Sequence, residues 1–342
     1  MRNFFMRRSD TGSGGGRRRT AKLGLALGAG AARGWAHIGF LQELDAHKIR
    51  ADVITGTSIG AVCGGAYAGG KLIELEAFAR SLTKRRIFSM MDVSLAGGGL
   101  IGGSRLRAKL EEAVGNLNAE DLAVKFGAVA TEIGSGHEVW LTKGNMAEAI
   151  RASYALPGLF EPVNFHGRWM VDGALVNPVP VTLCRALGAD LVVAVNLSTD
   201  SFARGSVKPD EYEDAPQAPV AAPPPNLPEH SSSRGFLRAV SDGAFALSWP
   251  FRAPSPQTKT SPASGPGVAA VMIDAFNIMQ DRVARSRLAG DPPDILVNAK
   301  VGKVGLFEFH RADELIALGR EAARRSMDDI RAAQASFESY NF

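Results

Sequence analysis

Two strand-turn-helix units follow one another near the start of this 342-residue chain, and both turns are built on glycine. Leu23-Gly24-Leu25-Ala26-Leu27 reads as a buried strand, passes through Gly28-Ala29-Gly30-Ala31-Ala32-Arg33-Gly34 and enters a helix over residues 34–44. Asp52-Val53-Ile54-Thr55 reads as a short β-branched strand, passes through Gly56-Thr57-Ser58-Ile59-Gly60 and enters a small-residue helix over residues 59–68. A helix between neighbouring strands returns the chain to start the next strand in the same direction, so this alternation predicts an α/β fold whose mainly parallel sheet is covered on both faces. Phe126 to Thr131 and Leu191 to Asn196 extend the sheet, the latter apolar almost throughout, as a doubly covered strand requires. Glu138 to Thr142 is expected to pair with the strand before it through Gly134-Ser135-Gly136, as a hairpin near the sheet's edge.

The second turn has the G-x-S-x-G form of a nucleophile elbow, with Ser58 at its centre. With 38 glycines in the chain the bare pattern is weak evidence, and the strand before it and the helix after it carry the argument. In such an elbow the serine backbone is strained, and Gly56 and Gly60 stand where a side chain would strike the neighbouring strand or helix. The helix that begins after Ser58 points its positive end at the reacting centre. The first glycine cluster then reads as an oxyanion loop, whose amides hold the negative oxygen formed when Ser58 attacks an acyl carbonyl. A dinucleotide fingerprint is the competing reading: Gly28 and Gly30 match its first two glycines and Asp52 stands where a ribose ligand belongs. Arg33 occupies its third glycine position, and that reading leaves the serine elbow unexplained.

A nucleophilic serine needs a base, and two arrangements stay open on the residues alone. Asp172 ends a short apolar strand at an Asp-Gly turn in Arg168-Trp169-Met170-Val171-Asp172-Gly173, which allows a serine-aspartate pair. Ser58, Asp172 and His310 follow the chain order of an α/β-hydrolase triad, although His310 reads as a helix-start residue. His47 sits among helix polars, His137 and His166 in hairpin-like segments, and His230 in a low-complexity stretch. His37 falls on the helix after the glycine loop, within reach of the site, although a packed or solvent-facing helical histidine is the simpler reading.

The chain resembles the patatin-like phospholipases, bacterial single-domain type, and is similar to the catalytic domain of neuropathy target esterases. The resemblance rests on four blocks in the family's order: Gly28 to Gly34, Gly56 to Gly60, Ala152-Ser153-Tyr154-Ala155-Leu156-Pro157-Gly158-Leu159-Phe160-Glu161-Pro162, and Val171-Asp172-Gly173-Ala174-Leu175-Val176-Asn177-Pro178-Val179-Pro180. It implies a three-layer α/β/α fold and a serine acyl hydrolase that cleaves fatty-acyl esters of lipids or lysophospholipids through an acyl-serine, with no cofactor or metal. Carried over by position, Ser58 would be the nucleophile, Asp172 the general base, and the amides of Gly28, Gly30 and Ala31 the oxyanion donors. Where the family opens this loop with consecutive glycines, this chain has Ala29. The alternatives are a Ser-Asp-His esterase and a catalytically idle, patatin-shaped membrane adaptor or regulator.

Around this domain, residues 23–342, the composition changes twice. Residues 1–22 carry seven Arg and Lys against Asp10, a net +6, so the +4 of the whole chain leaves the rest at about −2. A Gly/Ser-rich tail of this charge is expected to be disordered and to adsorb on anionic lipid, at about 1 kcal/mol per basic residue near the surface. It lacks the aromatic and motif context of a specific nucleic-acid binder. A secretory signal over residues 17–32 is not expected, because cleavage there would remove the first strand and the glycine loop. Residues 200–267 hold 12 of the 18 prolines and read as a flexible insertion. Within it, residues 235–251 are apolar enough for a lid or for a segment docked on the core.

Two cysteines, Cys63 and Cys184, fit a reduced cytoplasm, with peripheral contact at the inner membrane face. The glycine cluster at 97–103 lacks the lysine and strand context of a phosphate loop and reads as a turn. Near the C-terminus, Met272, Ala275, Phe276, Met279 and Val283 form one apolar stripe at helical spacing and Leu315, Leu318 and Ala322 another, both expected to pack in the core.

Overall fold

The computed structural model describes residues 20–90, 108–198 apart from 109, 113 and 115, and 268–340. Residues 1–19 of the basic tail, the Pro-rich insertion with its 235–251 segment, and the glycine cluster at 97–103 lie outside the described residues. The described strands are β1 (Leu23–Leu27), β2 (Val53–Thr57), β3 (Lys125–Glu132), β4 (Glu138–Leu141), β5 (Val163–Phe165), β6 (Arg168–Asp172), β7 (Leu191–Asn196) and β8 (Ile295–Asn298). The helices are α1 (Trp35–Ala46), α2 (Ile59–Ala68), α3 (Leu72–Arg80), α4 (Lys84–Met90), α5 (Met146–Tyr154), α6 (Val181–Ala186), α7 (Val268–Gly290) and α8 (Ala312–Tyr340). The sheet and the helices that cover it belong to one compact unit, residues 1–201 and 277–342; of the second unit, residues 202–276, only the opening turns of α7 are described.

The strands form one eight-stranded sheet in the order β5-β6-β3-β2-β1-β7-β8, with β4 also on β3. The pairs β3-β2, β2-β1, β1-β7 and β7-β8 are parallel, while β4 and β6 run antiparallel to β3. The period of two along each central strand divides its side chains between two cores. Leu23, Leu25 and Leu27 of β1 and Leu191, Val193 and Val195 of β7 enter the larger core with α1, α2, α5 and α8, whereas Ala26, Val192 and Ala194 enter a smaller one with Val181 and Cys184 of α6 and Ala284 of α7. That division gives the α/β/α layering. Both cysteines are buried and unpaired, and desolvation raises both thiols, Cys184 to about 12. Among the described residues no helix is long and apolar enough to cross a membrane.

The strand expectations hold at β1, β2, β3, β4 and β7, as does the α8 stripe, where Leu315 and Ala322 are buried and Leu318 packs against the core. The α7 stripe is corrected: Met272 is 62% and Met279 39% exposed. The helix turns Gln280, Asp281 and Ala284 inward instead, and the small Ala284 is what fits beside Val179, Val181, Cys184 and Val192.

β3 is the strand that assembles the site. Its register with β4 runs over residues 128–131, which occupies one edge. Both β2, paired at residues 125–129, and β6, paired at residues 130–132, must therefore use the other edge. The two approach from opposite directions and meet end to end, Thr57 beside Val129 and Asp172 beside Ala130. Adjacent positions on β3 thus bring together residues separated by more than a hundred positions in the chain.

Candidate active site

Ser58 follows the last residue of β2 and precedes α2, with φ 55° and ψ −122°. A non-glycine residue held there costs about 1–3 kcal/mol, and three bonds hold it. Its carbonyl accepts from the Ala61 and Val62 amides at 2.9 and 3.2 Å, and its own N–H donates to Ser153 Oγ at 2.9 Å. Gly56 and Gly60 are required by close approach. A Cβ on Gly56 would strike the Gly60 and Ala61 backbone, and one on Gly60 would strike the Leu27 and Gly28 carbonyls. Gly60→Ala should therefore push α2 off the end of β1 and destabilise the protein by about 2 kcal/mol or more in a denaturant titration. An unchanged midpoint would show that the contact has slack.

The Ser58 hydroxyl donates to Asp172 Oδ2 at 2.7 Å. Asp172 Oδ1 accepts the Ala174 amide at 2.8 Å, the Asp172 N–H donates to the Ala155 carbonyl at 2.9 Å, and Thr131 Oγ1 donates to the Asp172 carbonyl at 2.9 Å. The carboxylate is therefore oriented by two contacts and its backbone by two more, and the residue is only 3% exposed, while Ser58 keeps 9%. Burial drives the Asp172 pKa up to about 6, against the opposing pull of the Ser58 and Ala174 hydrogen bonds. A carboxylate so placed is a far better proton acceptor near neutral pH than an ordinary aspartate, whose pKa lies near 3.9.

The glycine loop runs from the end of β1 through a 3-10 turn at Ala31–Gly34 into α1. Of its three expected oxyanion donors, Gly28 is corrected: its amide is spent on the Val195 carbonyl at 3.0 Å, continuing the β1-β7 ladder. The Ala29 amide donates to the Pro178 carbonyl at 2.9 Å, Ala32 to the Leu306 carbonyl at 2.9 Å and Arg33 to the Gly30 carbonyl at 3.1 Å. Gly30 and Ala31 donate no backbone hydrogen bond among the described residues. Ala31, at φ 47°, and not Ala29 is the alanine in the left-handed region. The Arg33 side chain secures the far end of the loop through Nε to the Val304 carbonyl at 2.8 Å.

Several expectations about other residues are settled by position. Asp52 does not face the glycine loop; its Oδ2 accepts the Leu23 amide at 2.8 Å, at the opposite end of β1, so it cannot serve a ribose bound at residues 28–34. His310 lies in a 3-10 turn before α8, a helix-start residue as expected. Among the described residues no imidazole hydrogen-bonds Ser58 Oγ or either Asp172 oxygen. His137 and His166 sit at the turns before β4 and β6, and His47 at the end of α1. The reading of the sequence had no role for Ser153, Thr55 and Thr57. Thr55 Oγ1 donates to the Pro180 carbonyl at 3.0 Å and Thr57 Oγ1 to the Asn177 carbonyl at 2.8 Å, which ties the segment after Asp172 to β2. Hydroxyl residues at alternate positions of an otherwise apolar, fully buried strand were the available signal.

Comparison with known proteins places the chain in a family. The model of the patatin-like phospholipase family matches residues 25–185, a span that includes both Ser58 and Asp172. An uncharacterized NTE family protein of Mycobacterium bovis is 33% identical over 348 residues, covering 93% of this chain and 96% of that protein, and one from Mycobacterium tuberculosis matches equally. The Candida albicans lysophospholipase NTE1 is 30% identical over 181 residues, which is 52% of this chain but only 13% of that much longer protein. The solved structure of VipD from Legionella pneumophila aligns with a TM-score of 0.42 at 16% identity, covering 54% of this chain and 51% of that one. With near full-length similarity to the mycobacterial proteins and the family model over residues 25–185, the chain belongs to the NTE family of patatin-like phospholipases.

Proposed function

We propose that this protein is a serine hydrolase of lipid acyl esters, of the phospholipase A or lysophospholipase type, working through Ser58 and Asp172. As the Ser58 hydroxyl attacks the ester carbonyl carbon, Asp172 Oδ2 takes its proton and the carbonyl electron pair moves onto oxygen. The Gly30 and Ala31 amides and the positive end of α2 stabilise that oxyanion. Collapse expels the alcohol, which leaves with the proton held by Asp172. Water, deprotonated by the same carboxylate, then attacks the acyl-serine and releases the fatty acid, and Ser58 recovers its proton.

The observation that carries this reading is the 2.7 Å hydrogen bond between a strained serine at a helix start and a buried carboxylate with no imidazole between them. The test is labelling with a fluorophosphonate followed by mapping of the adduct to the Ser58 peptide, with fatty-acid release measured from lysophospholipid, diacyl phospholipid and neutral ester. Absence of labelling in folded protein would leave the idle-adaptor reading in its place.

A pH dependence follows. Asp172 accepts a proton only when ionised, and burial raises its pKa to about 6. The labelling rate should therefore be low at pH 5, climb through about pH 6 and level off above pH 7. A rate flat from pH 4.5 to 7.5 would remove Asp172 as the base.

A further inference from the structure

His37 stands on the first turn of α1 with no solvent exposure, and its Nε2 lies 2.8 Å from the Gly28 carbonyl oxygen. A carbonyl only accepts, so Nε2 carries the hydrogen and Nδ1 is left a bare acceptor, buried and without a partner. A buried acceptor without a partner costs about 1–3 kcal/mol, which Nδ1 incurs here while the Nε2 hydrogen satisfies the buried Gly28 carbonyl that an apolar side chain would leave unpaired. The position of the bond supplies a reason for an imidazole. The Gly28 carbonyl belongs to the last peptide before the two free amides, and it lies against Gly60 at the start of α2. With the Gly28 amide on Val195, the Ala29 amide on Pro178 and the Gly28 carbonyl on His37, the entry to the loop is held on three sides. Beyond it, the Ala32 amide is held by Leu306. Between the two clamps only Gly30 and Ala31 present unspent N–H groups, and Ala31 is kept in a left-handed conformation that an alanine does not choose unaided.

We propose that His37 is a positioning residue for the oxyanion loop: its neutral imidazole donates to the Gly28 carbonyl and so fixes the peptide plane from which the Gly30 and Ala31 amides are aimed. Desolvation lowers the His37 pKa to about 4, which keeps the ring in the neutral form across the working range. This rests on the reading of Ser58 and Asp172 given above and adds to it a residue that touches neither substrate nor nucleophile.

The test compares His37→Phe, which keeps ring bulk without a donor, with His37→Gln, whose amide N–H reaches to about the Nε2 position, and His37→Asn, whose amide stops short. His37→Phe should lower kcat and the fluorophosphonate labelling rate by about tenfold or more with little change in KM, since donors aimed at the oxyanion act in the transition state. His37→Gln should regain most of that loss and His37→Asn should not, with melting temperature recorded for each. Should His37→Phe fail to fold, the Gln and Asn pair decides: equal rates in the two overturn the proposal, as does a wild-type kcat in folded His37→Phe. Wild-type protein that takes no label would instead overturn the assignment of Ser58, a result the His37 variants cannot mimic.

Discussion

Ser58→Ala should reduce ester hydrolysis to background, a loss of about four orders of magnitude or more, and should abolish labelling by a fluorophosphonate. The expected size follows from removing the proposed nucleophile, with no second one beside it among the described residues: the neighbouring hydroxyl, Ser153, has its oxygen turned to the Ser58 amide. The fold should survive. Alanine meets the same backbone strain at φ 55° as serine, and the amides that cap α2 bind the main chain of residue 58 and not its side chain. What changes locally is Asp172, which loses one of its two carboxylate partners and is left with the Ala174 amide. Its proton affinity then rises further, so the variant should take up this proton at a higher pH than the wild type does. Thermal denaturation with a melting temperature close to wild type, together with lost turnover, distinguishes this from simple unfolding. Substantial hydrolysis by the purified variant would mean that another group attacks the ester.

How far the amino-acid sequence already contained this site depends on which link is considered. The elbow and the loop were readable because both are local: a strand, a glycine turn and a helix occur within about twenty residues, and Gly56, Gly60, Gly28 and Gly30 stand where backbones touch. The partnership of Ser58 with Asp172 was readable only as a candidate, with a histidine triad left open beside it until the resemblance was drawn, because it depends on β2 and β6 sharing one edge of β3, and nothing in residues 168–172 states which strand they will pair with. Donor assignment failed at Gly28 for a similar reason. Whether an amide is free depends on the ladder between β1 and β7, two strands more than 160 residues apart. The α7 stripe misled because periodicity reveals a face but not the direction it points. Gln280 and Asp281 are buried while Met272 and Met279 stay exposed, contrary to the hydrophobic ordering that pattern reading assumes.

On the proposed mechanism, the sheet topology also explains how a carboxylate would suffice where many serine hydrolases place an imidazole. A triad needs room for a ring between serine and acid, and a strand end facing a strand end offers a single hydrogen-bond length. The acid must then be basic enough by itself. Its position at the end of β6, beneath α5 and beside the β3 hydroxyl of Thr131, removes water from it and raises its pKa to about 6. In that proposal desolvation would substitute for the imidazole's intrinsic basicity, and the two amides of the loop would carry the remaining stabilisation.

Asp172→Asn tests that substitution most directly and should lower kcat by roughly two orders of magnitude or more while the protein stays folded. The amide keeps the shape of the carboxyl: its oxygen can accept the Ala174 N–H and its nitrogen can donate to Ser58 Oγ, so the elbow loses no contact. What it lacks is a site for the Ser58 proton, and it fixes the serine oxygen as an acceptor, the wrong role for a nucleophile about to lose its hydrogen. Stability should move the other way. A pKa raised on folding means that ionising Asp172 costs the native state free energy; the stability that the protonated carboxyl contributes in full below about pH 4 is lost as pH rises through about 6, a penalty on the order of 3 kcal/mol at neutral pH. Asparagine carries no charge to bury, so Asp172→Asn should melt at or above the wild-type temperature at pH 7.5, and the advantage should vanish at pH 4, where the wild-type carboxyl is protonated. Loss of activity with a gain of stability that disappears in acid is the signature of a buried base. A variant that turned over normally, or that lost stability equally at both pH values, would assign Asp172 to the architecture of the strand end and leave Ser58 in need of another proton acceptor.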